Sequence, residues 1–108
     1  MDIKSTFKII SIAFVTLFAA TSLFATSPIK TVAITQIAEH PAADAVREGA
    51  LAALKDNGYE DGKTLKLIFE NAQGSTVTAT QIAKKLVALK PSVIIPITTP
   101  STQAVVKA

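Results

Sequence analysis

The chain has 108 residues, of which 49% are hydrophobic and 18% charged, a composition typical of one small packed domain rather than of a disordered segment. Eleven basic and eight acidic residues give a net charge of +3, and the basic residues are scattered, so a nucleic-acid-binding surface is not expected. The absence of cysteine and the presence of one histidine exclude disulfides, a thiol nucleophile and a transition-metal site made of several Cys or His ligands.

Residues 1–25 have the pattern of a secretory signal peptide. Lys4 and Lys8 precede an uncharged, mostly apolar run from Ile9 to Phe24, which is shorter than the roughly 20 residues that a membrane-spanning helix needs. A cleaved signal therefore fits better than a transmembrane anchor, and we expect cleavage after Ala25. Because no cysteine follows the run, a lipid anchor is not expected, and the mature chain, residues 26–108, is predicted to be periplasmic or secreted.

The mature part begins with a strand pattern followed by a helix pattern. The β-branched run 31–37 predicts a strand, and the next helix is expected to carry Pro41 in its first turn and to end at Asn57-Gly58. Tyr59 is expected to fold back onto the last turn of this helix. Four residues recur at helical spacing and are predicted to form its buried face: Val46, Ala50, Ala53 and Leu54.

The alternation of strand and helix continues to the last residue. Strands are predicted at 65–70 and 92–97, with a helix at 76–89 between them and another beginning near Ser101. The helix at 76–89 is expected to bury Ala79, Ile82, Ala83, Leu86 and Leu89. Pro96 cannot donate to a central ladder, so we expect it at the end of the last strand, where pairing has stopped.

The order strand, helix, strand, helix, strand, helix predicts an α/β fold with an open parallel, Rossmann-like sheet whose middle strand is the first one. Ligands of such sheets bind at the carboxyl ends of the strands, and a polar loop follows each strand here. Each loop also opens a helix, whose free N–H groups suit a carboxylate or another anion. The predicted ligand-binding residues are Gln36, His40, Asn71, Gln73, Thr98, Thr99, Ser101 and Thr102.

The same residues have simpler structural interpretations. Ser101 or Thr99 can cap the third helix and Ser75 or Thr76 the second, although a cap uses a single hydroxyl and TTPST contains four. His40 can be a surface residue before Pro41 at a helix start. No phosphate-binding glycine motif and no nucleophile paired with a base is present, so neither a cofactor nor catalysis is expected.

Several motifs, in order, resemble one transport family. They are a Q-x-x-x-H-P loop at 36–41, L-x-x-x-G-Y at 54–59, a D-G-K turn at 61–63, N-A-Q-G at 71–74, Q-I-A-K-K at 81–85 and T-P-S-T-Q at 99–103. This pattern is similar to the start of the ABC transporter substrate-binding proteins that include tryptophan and tyrosine transport components. Thr64 stands where the family's turn often has Asn, a difference expected to be silent.

The resemblance implies a type I periplasmic binding-protein fold, in which two α/β lobes joined by a hinge close on an amino acid, expected to be aromatic, or on a similar small carboxylate solute. Residues 26–108 would then be part of the N-terminal lobe, and the chain an N-terminal fragment. The implied partners are an ABC permease and its ATPase, and a complete member is expected to be monomeric. Three alternatives are a non-functional remnant, an enzyme on the same sheet, and a regulator's effector-binding domain, which the export signal disfavours.

Overall fold

The computed structural model describes residues 28–108. Strands and helices alternate in it from β1 to α3, with the following bounds: β1 Lys30–Gln36, α1 Pro41–Asp56, β2 Leu65–Asn71, α2 Thr76–Ala88, β3 Val93–Ile97 and α3 Thr99–Lys107. The strands form one parallel sheet in the order β2-β1-β3. The predicted α/β fold and the central position of the first strand are therefore confirmed. The predicted signal peptide, residues 1–25, lies outside the described residues.

The core has one apolar cluster on each face of the sheet. Val32 and Ile34 point to the face covered by α1, where partly buried Leu51 and Leu54 pack against them. The alternate residue of β1, Ala33, belongs to the other cluster, which contains the buried side of α2 and Ala104 of α3. Because successive side chains of a strand point to opposite faces, β1 is buried on both faces, and its residues 32–36 are all buried.

The ends of α1 and α2 follow from local chemistry. Gly58, with φ of +84°, donates its N–H to Lys55 O, and Tyr59 donates to Leu54 O, the pair of hydrogen bonds of a Schellman motif. This confirms the predicted fold-back of Tyr59, which also packs against the core. At the start of α2 the hydroxyl of Ser75 accepts from the N–H of Thr78 over 3.1 Å, so the predicted cap is confirmed.

Two predicted helix faces were partly wrong. In α1, Val46 is 56% exposed and Ala53 is exposed, whereas Ala43 is buried and Leu51 contributes to the core. The side of α1 that covers the sheet runs through residues 43, 47, 51 and 54. The helix is therefore rotated about its axis relative to the predicted orientation, in which Val46 faces the sheet. In α2, Ala79, Ile82, Ala83 and Leu86 are buried as predicted. Leu89 is instead 53% exposed because the helix ends at Ala88.

The position of Pro96 also differs from the prediction. Pro96 lies inside β3, opposite Thr35, and the pairing with β1 continues to Ile97. Within residues 28–108, β3 is an edge strand, and proline is tolerated at an edge when its nitrogen faces away from the neighbouring strand.

Among the described residues, no helix has both the length and the apolar character needed to cross a membrane.

Candidate functional site

The three strands end at the same level of the sheet. Gln36, the last residue of β1, stands opposite Asn71 at the end of β2 and Ile97 at the end of β3. Neighbouring strands lie about 4.8 Å apart, so the three following loops begin side by side within about 10 Å. The structure therefore brings the sequence-predicted residues to one edge, which we call the carboxyl edge: residues 36–40, 71–74 and 98–102.

Backbone hydrogen bonds join the first two of these loops. The N–H of Ala72 donates to Gln36 O over 2.9 Å, and the N–H of Gly74 donates to Ile37 O over 2.7 Å. Gly74 has φ of +84°, a left-handed conformation that glycine adopts without strain. The two loops consequently form one connected backbone surface.

Gln36 lies beneath this surface rather than on it. Its side chain is fully buried, and Nε2 donates to Ala38 O over 2.6 Å and to Asp44 Oδ1 over 2.8 Å. Its Oε1 accepts from Arg47 over 3.3 Å. Because the amide has only two N–H donors, no donor of Gln36 is left for a ligand.

His40 is the N-cap of α1. Its Nδ1 accepts from the N–H of Ala42 over 3.2 Å, and Pro41 occupies the first helical turn as the sequence predicts. The imidazole is otherwise exposed on the carboxyl edge. The interpretation of His40 as a residue at a helix start is thus supported.

The loop after β2 is a compact turn with a polar surface. The Oδ1 of Asn71 accepts from the N–H of Gln73 over 2.8 Å, and Gln73 has φ of +53° with an exposed side chain. Asn71 and Gln73 line an open cavity of about 260 Å³ together with Glu39 of the first loop. Glu39 is an acidic group that the sequence did not single out as a ligand contact.

The loop after β3 differs from its predicted form, because α3 begins at Thr99 rather than near Ser101. Thr98 is the N-cap residue but makes no side-chain capping bond, and its backbone has φ of +77° and ψ of 160°. A β-branched residue in this region is strained, by an energy on the order of 1–3 kcal/mol. The predicted cap by Thr99 or Ser101 was therefore wrong, since both residues lie within the helix.

Ser101 is the most unusual residue of the edge. It is 1% exposed, and its hydroxyl has no hydrogen-bond partner among residues 28–108. It stands in the first turn of α3, where backbone N–H groups lack helical acceptors and the helix dipole is positive. Thr102 is differently engaged, because its N–H and hydroxyl both donate to Thr98 O.

The edge is therefore suited to bind an anionic group by hydrogen bonds. It combines the free first-turn N–H groups of α3 with a buried hydroxyl and with exposed polar groups at His40, Gln73 and Thr99. Within residues 28–108, no group of three or more acidic, His or Cys side chains is arranged to hold a metal ion.

The chain is similar in sequence and in fold to known proteins. Residues 31–108 match the family described as ABC transporter substrate binding protein. The chain belongs to this family. A tyrosine-binding protein of Clostridioides difficile is 44% identical over 75 residues, which make up 69% of this chain and 22% of that protein.

Three solved structures share the fold. A conserved domain protein from Vibrio cholerae has a TM-score of 0.73 at 47% identity, covering 75% of this chain and 27% of that one. The ligand-free, open structure of a Clostridium difficile substrate binding protein with adhesive properties has a TM-score of 0.73 at 44% identity, with 74% and 27% covered. An ABC domain from Streptococcus pneumoniae in complex with L-Trp has a TM-score of 0.71 at 27% identity, with 75% and 27% covered.

The chain thus spans about a quarter of the length of the proteins it resembles. The family and its relatives are substrate-binding proteins and not enzymes, which removes the enzyme alternative. The sequence motifs had identified the right family, but the contacts of Asp44 and Arg47 with Gln36 and the cavity lined by Glu39 were not predicted. In the sequence, Asp44 and Arg47 are recognisable only as charged residues in the first two turns of the helix that follows β1.

Proposed function

We propose that this chain forms the start of the first lobe of an extracytoplasmic binding protein that delivers an amino acid to an ABC importer. The observation that carries the proposal is the buried, unpartnered hydroxyl of Ser101 in the first turn of α3, at the carboxyl edge of the sheet. Burying a hydroxyl without a partner is unfavourable, and a ligand acceptor at the helix start would complete its hydrogen bonding.

The ligand group that fits this position is an α-carboxylate. The first turn of α3 supplies N–H donors and a partial positive charge, and Thr99 adds an exposed hydroxyl beside Ser101. Pro100 has no N–H, so the backbone donors of this turn are those of Thr99 and Ser101, while the N–H of Thr102 is bonded to Thr98 O. Exposed Thr98, His40 and Gln73, together with partly buried Asn71, would surround the rest of the ligand.

An aromatic amino acid is the favoured ligand. The relatives whose descriptions state a ligand include a tyrosine-binding protein and an ABC domain in complex with L-Trp. In a two-lobed protein the second lobe would close over the aromatic side chain, and closure would couple binding to the permease and its ATPase.

Substitution of Ser101 separates binding from capping. Because its hydroxyl has no partner without ligand, Ser101→Ala should leave the free energy of unfolding unchanged or raise it by up to about 1 kcal/mol. A lost hydrogen bond to a carboxylate is worth about 1.5–3 kcal/mol, so ligand affinity should fall roughly ten- to a hundredfold in the two-lobed protein. Thr99→Ala is expected to weaken binding in the same direction.

A matched cap provides the control for this experiment. Ser75→Ala removes a real N-cap and should lower the free energy of unfolding by about 1 kcal/mol while ligand affinity stays within twofold. Unfolding followed by circular dichroism and titration calorimetry measure the two quantities. If Ser101→Ala lowers the free energy of unfolding and leaves ligand affinity within twofold, as expected for Ser75→Ala, the carboxylate does not bind at this turn. If the unsubstituted protein binds no amino acid, the remnant interpretation is favoured.

Export is the second part of the proposal, and it rests on residues 1–25 of the sequence. The mature chain should begin at Thr26 and be released into the periplasm, where a binding protein meets its solute. N-terminal sequencing of the protein from the periplasmic fraction tests this. Intact Met1 in the membrane fraction would instead indicate an uncleaved anchor.

A further inference from the structure

Three side chains behind the carboxyl edge form a closed cluster, which we call the Gln36 cluster: Gln36, Asp44 and Arg47. Nε2 of Gln36 donates to Asp44 Oδ1 over 2.8 Å, and Arg47 donates to Gln36 Oε1 over 3.3 Å. Arg47 also lies 3.4 Å from Asp44 Oδ1, which closes the triangle. The cluster therefore joins the end of β1 to the first two turns of α1.

Phe69 of β2 fixes the remaining side of the cluster. The guanidinium of Arg47 lies 4.6 Å from the centre of the Phe69 ring, within the range of a cation–π contact. A planar guanidinium can stack on a ring and donate a hydrogen bond at the same time, which an ammonium group cannot do equally well. Through Arg47 the three elements β1, α1 and β2 are held together just below the edge.

The cluster also controls the backbone of the edge itself. Gln36 donates to Ala38 O over 2.6 Å, which fixes the turn that carries Glu39 and His40. The carbonyl of Gln36 accepts from Ala72 N–H, and the next carbonyl, of Ile37, accepts from Gly74 N–H. One buried side chain and its backbone thus determine how the first two loops stand relative to each other.

We infer that Gln36, Asp44 and Arg47 are positioning residues, which hold the first two loops of the carboxyl edge in the conformation that binds the ligand. This inference rests on the proposed function, because it assigns a role in ligand binding. Gln36 acts through the loops and does not touch the ligand, since both its N–H donors and its oxygen are engaged within the protein.

A double-mutant cycle on ligand affinity tests the inference in the two-lobed protein. Asp44→Ala and Gln36→Met should each weaken binding of L-tyrosine or L-tryptophan by roughly three- to tenfold, because a smaller fraction of the loops is competent to bind. The double variant should be no weaker than the worse single variant, since both act on the same element. Asp44→Asn keeps an acceptor for Gln36 Nε2 and should restore most of the affinity.

A second readout needs no ligand. The N–H of Gly74 is hydrogen-bonded to Ile37 O, so its hydrogen exchange in the whole chain reports whether the two loops stay joined. Asp44→Ala should speed this exchange by roughly tenfold relative to the exchange of Leu67 N–H, which donates to Asp61 Oδ1 near the start of β2, away from the carboxyl edge. Lys63→Met, which breaks the Lys63–Glu60 ion pair far from the edge, is the control and should leave Gly74 unchanged.

The outcomes distinguish the two proposals. If amino acids bind and Gln36→Met alone weakens binding, Gln36 contacts the ligand and the positioning role is wrong. The role is equally wrong if affinity is unchanged in all variants, or if Gly74 exchange is unaffected by Asp44→Ala. If the unsubstituted protein binds no amino acid while Gly74 responds as expected, the cluster positions the loops and the proposed ligand is what fails.

Discussion

Thr102 donates two hydrogen bonds to the same acceptor, the carbonyl oxygen of Thr98, from its N–H over 3.0 Å and from its hydroxyl over 2.9 Å. The first turn of α3 is therefore closed by Thr102 and not by a side-chain cap from Thr98. Two further features lie in the same segment: Thr98 has a φ of +77°, and the hydroxyl of Ser101 has no hydrogen-bond partner among residues 28–108.

Relieving the strain at Thr98 should stabilise the chain. Glycine adopts positive φ freely, so Thr98→Gly should remove a strain of about 1–3 kcal/mol. Because glycine has a greater entropy in the unfolded state, part of this gain is lost, and the free energy of unfolding should rise by about 1 kcal/mol. Thr99→Gly, one residue later within the helix, should instead lower it by about 0.5–1 kcal/mol. Urea unfolding measures both, and a loss of stability in Thr98→Gly would show that the conformation is not strained.

Two glycines of the α1 region should respond in opposite directions to the same substitution. A Cβ added at Gly58 or at Gly49 meets no atom within 4 Å, so only the backbone conformation distinguishes them. Gly58→Ala places alanine at φ of +84° and should lower the free energy of unfolding by about 1–2 kcal/mol. Gly49→Ala, inside α1, should raise it by about 0.5–1 kcal/mol. Equal effects in thermal unfolding would contradict the Schellman end of α1.

The buried face of α2 can be tested with two leucines three residues apart. Leu86 is fully buried and Leu89 is 53% exposed. Leu86→Ala should lower the free energy of unfolding by about 2–5 kcal/mol through lost burial and a cavity, and Leu89→Ala by less than about 1 kcal/mol. Urea unfolding at equilibrium gives both values. Comparable losses would mean that α2 extends beyond Ala88 and buries Leu89 as the sequence alone predicts.

The fold was predictable because its signals are local and repeated. The apolar strands, the Asn57-Gly58 stop and the Ser75 cap each determine structure within a few residues, and the structure confirms all of them. The orientation of α1 was less predictable, since Ala, Leu and Val occur on several of its sides and tertiary packing selected Leu51 over Val46. Periodicity in an alanine-rich helix does not identify a unique buried stripe.

The position of the carboxyl edge was predictable, but the contacts of its residues were not. Parallel strands bring their carboxyl ends together whatever the side chains are, so the edge could be located from the strand pattern. Whether Gln36 faces a ligand or the protein depends on Asp44 and Arg47, which reach it only when α1 packs on the sheet. The start of α3 depends on the positive φ of Thr98, which no residue preference predicts for a threonine.

The central claim is that the carboxyl edge of this lobe binds the α-carboxylate of an amino acid. Titration calorimetry of the two-lobed protein with L-tyrosine and L-tryptophan, compared with tyramine and tryptamine, tests it most directly, because each amine lacks only the carboxylate. Several charge-assisted hydrogen bonds are lost together, so we predict that the better amino acid binds at least roughly a hundredfold more tightly than its amine. Equal affinities within each pair would contradict a carboxylate at the start of α3.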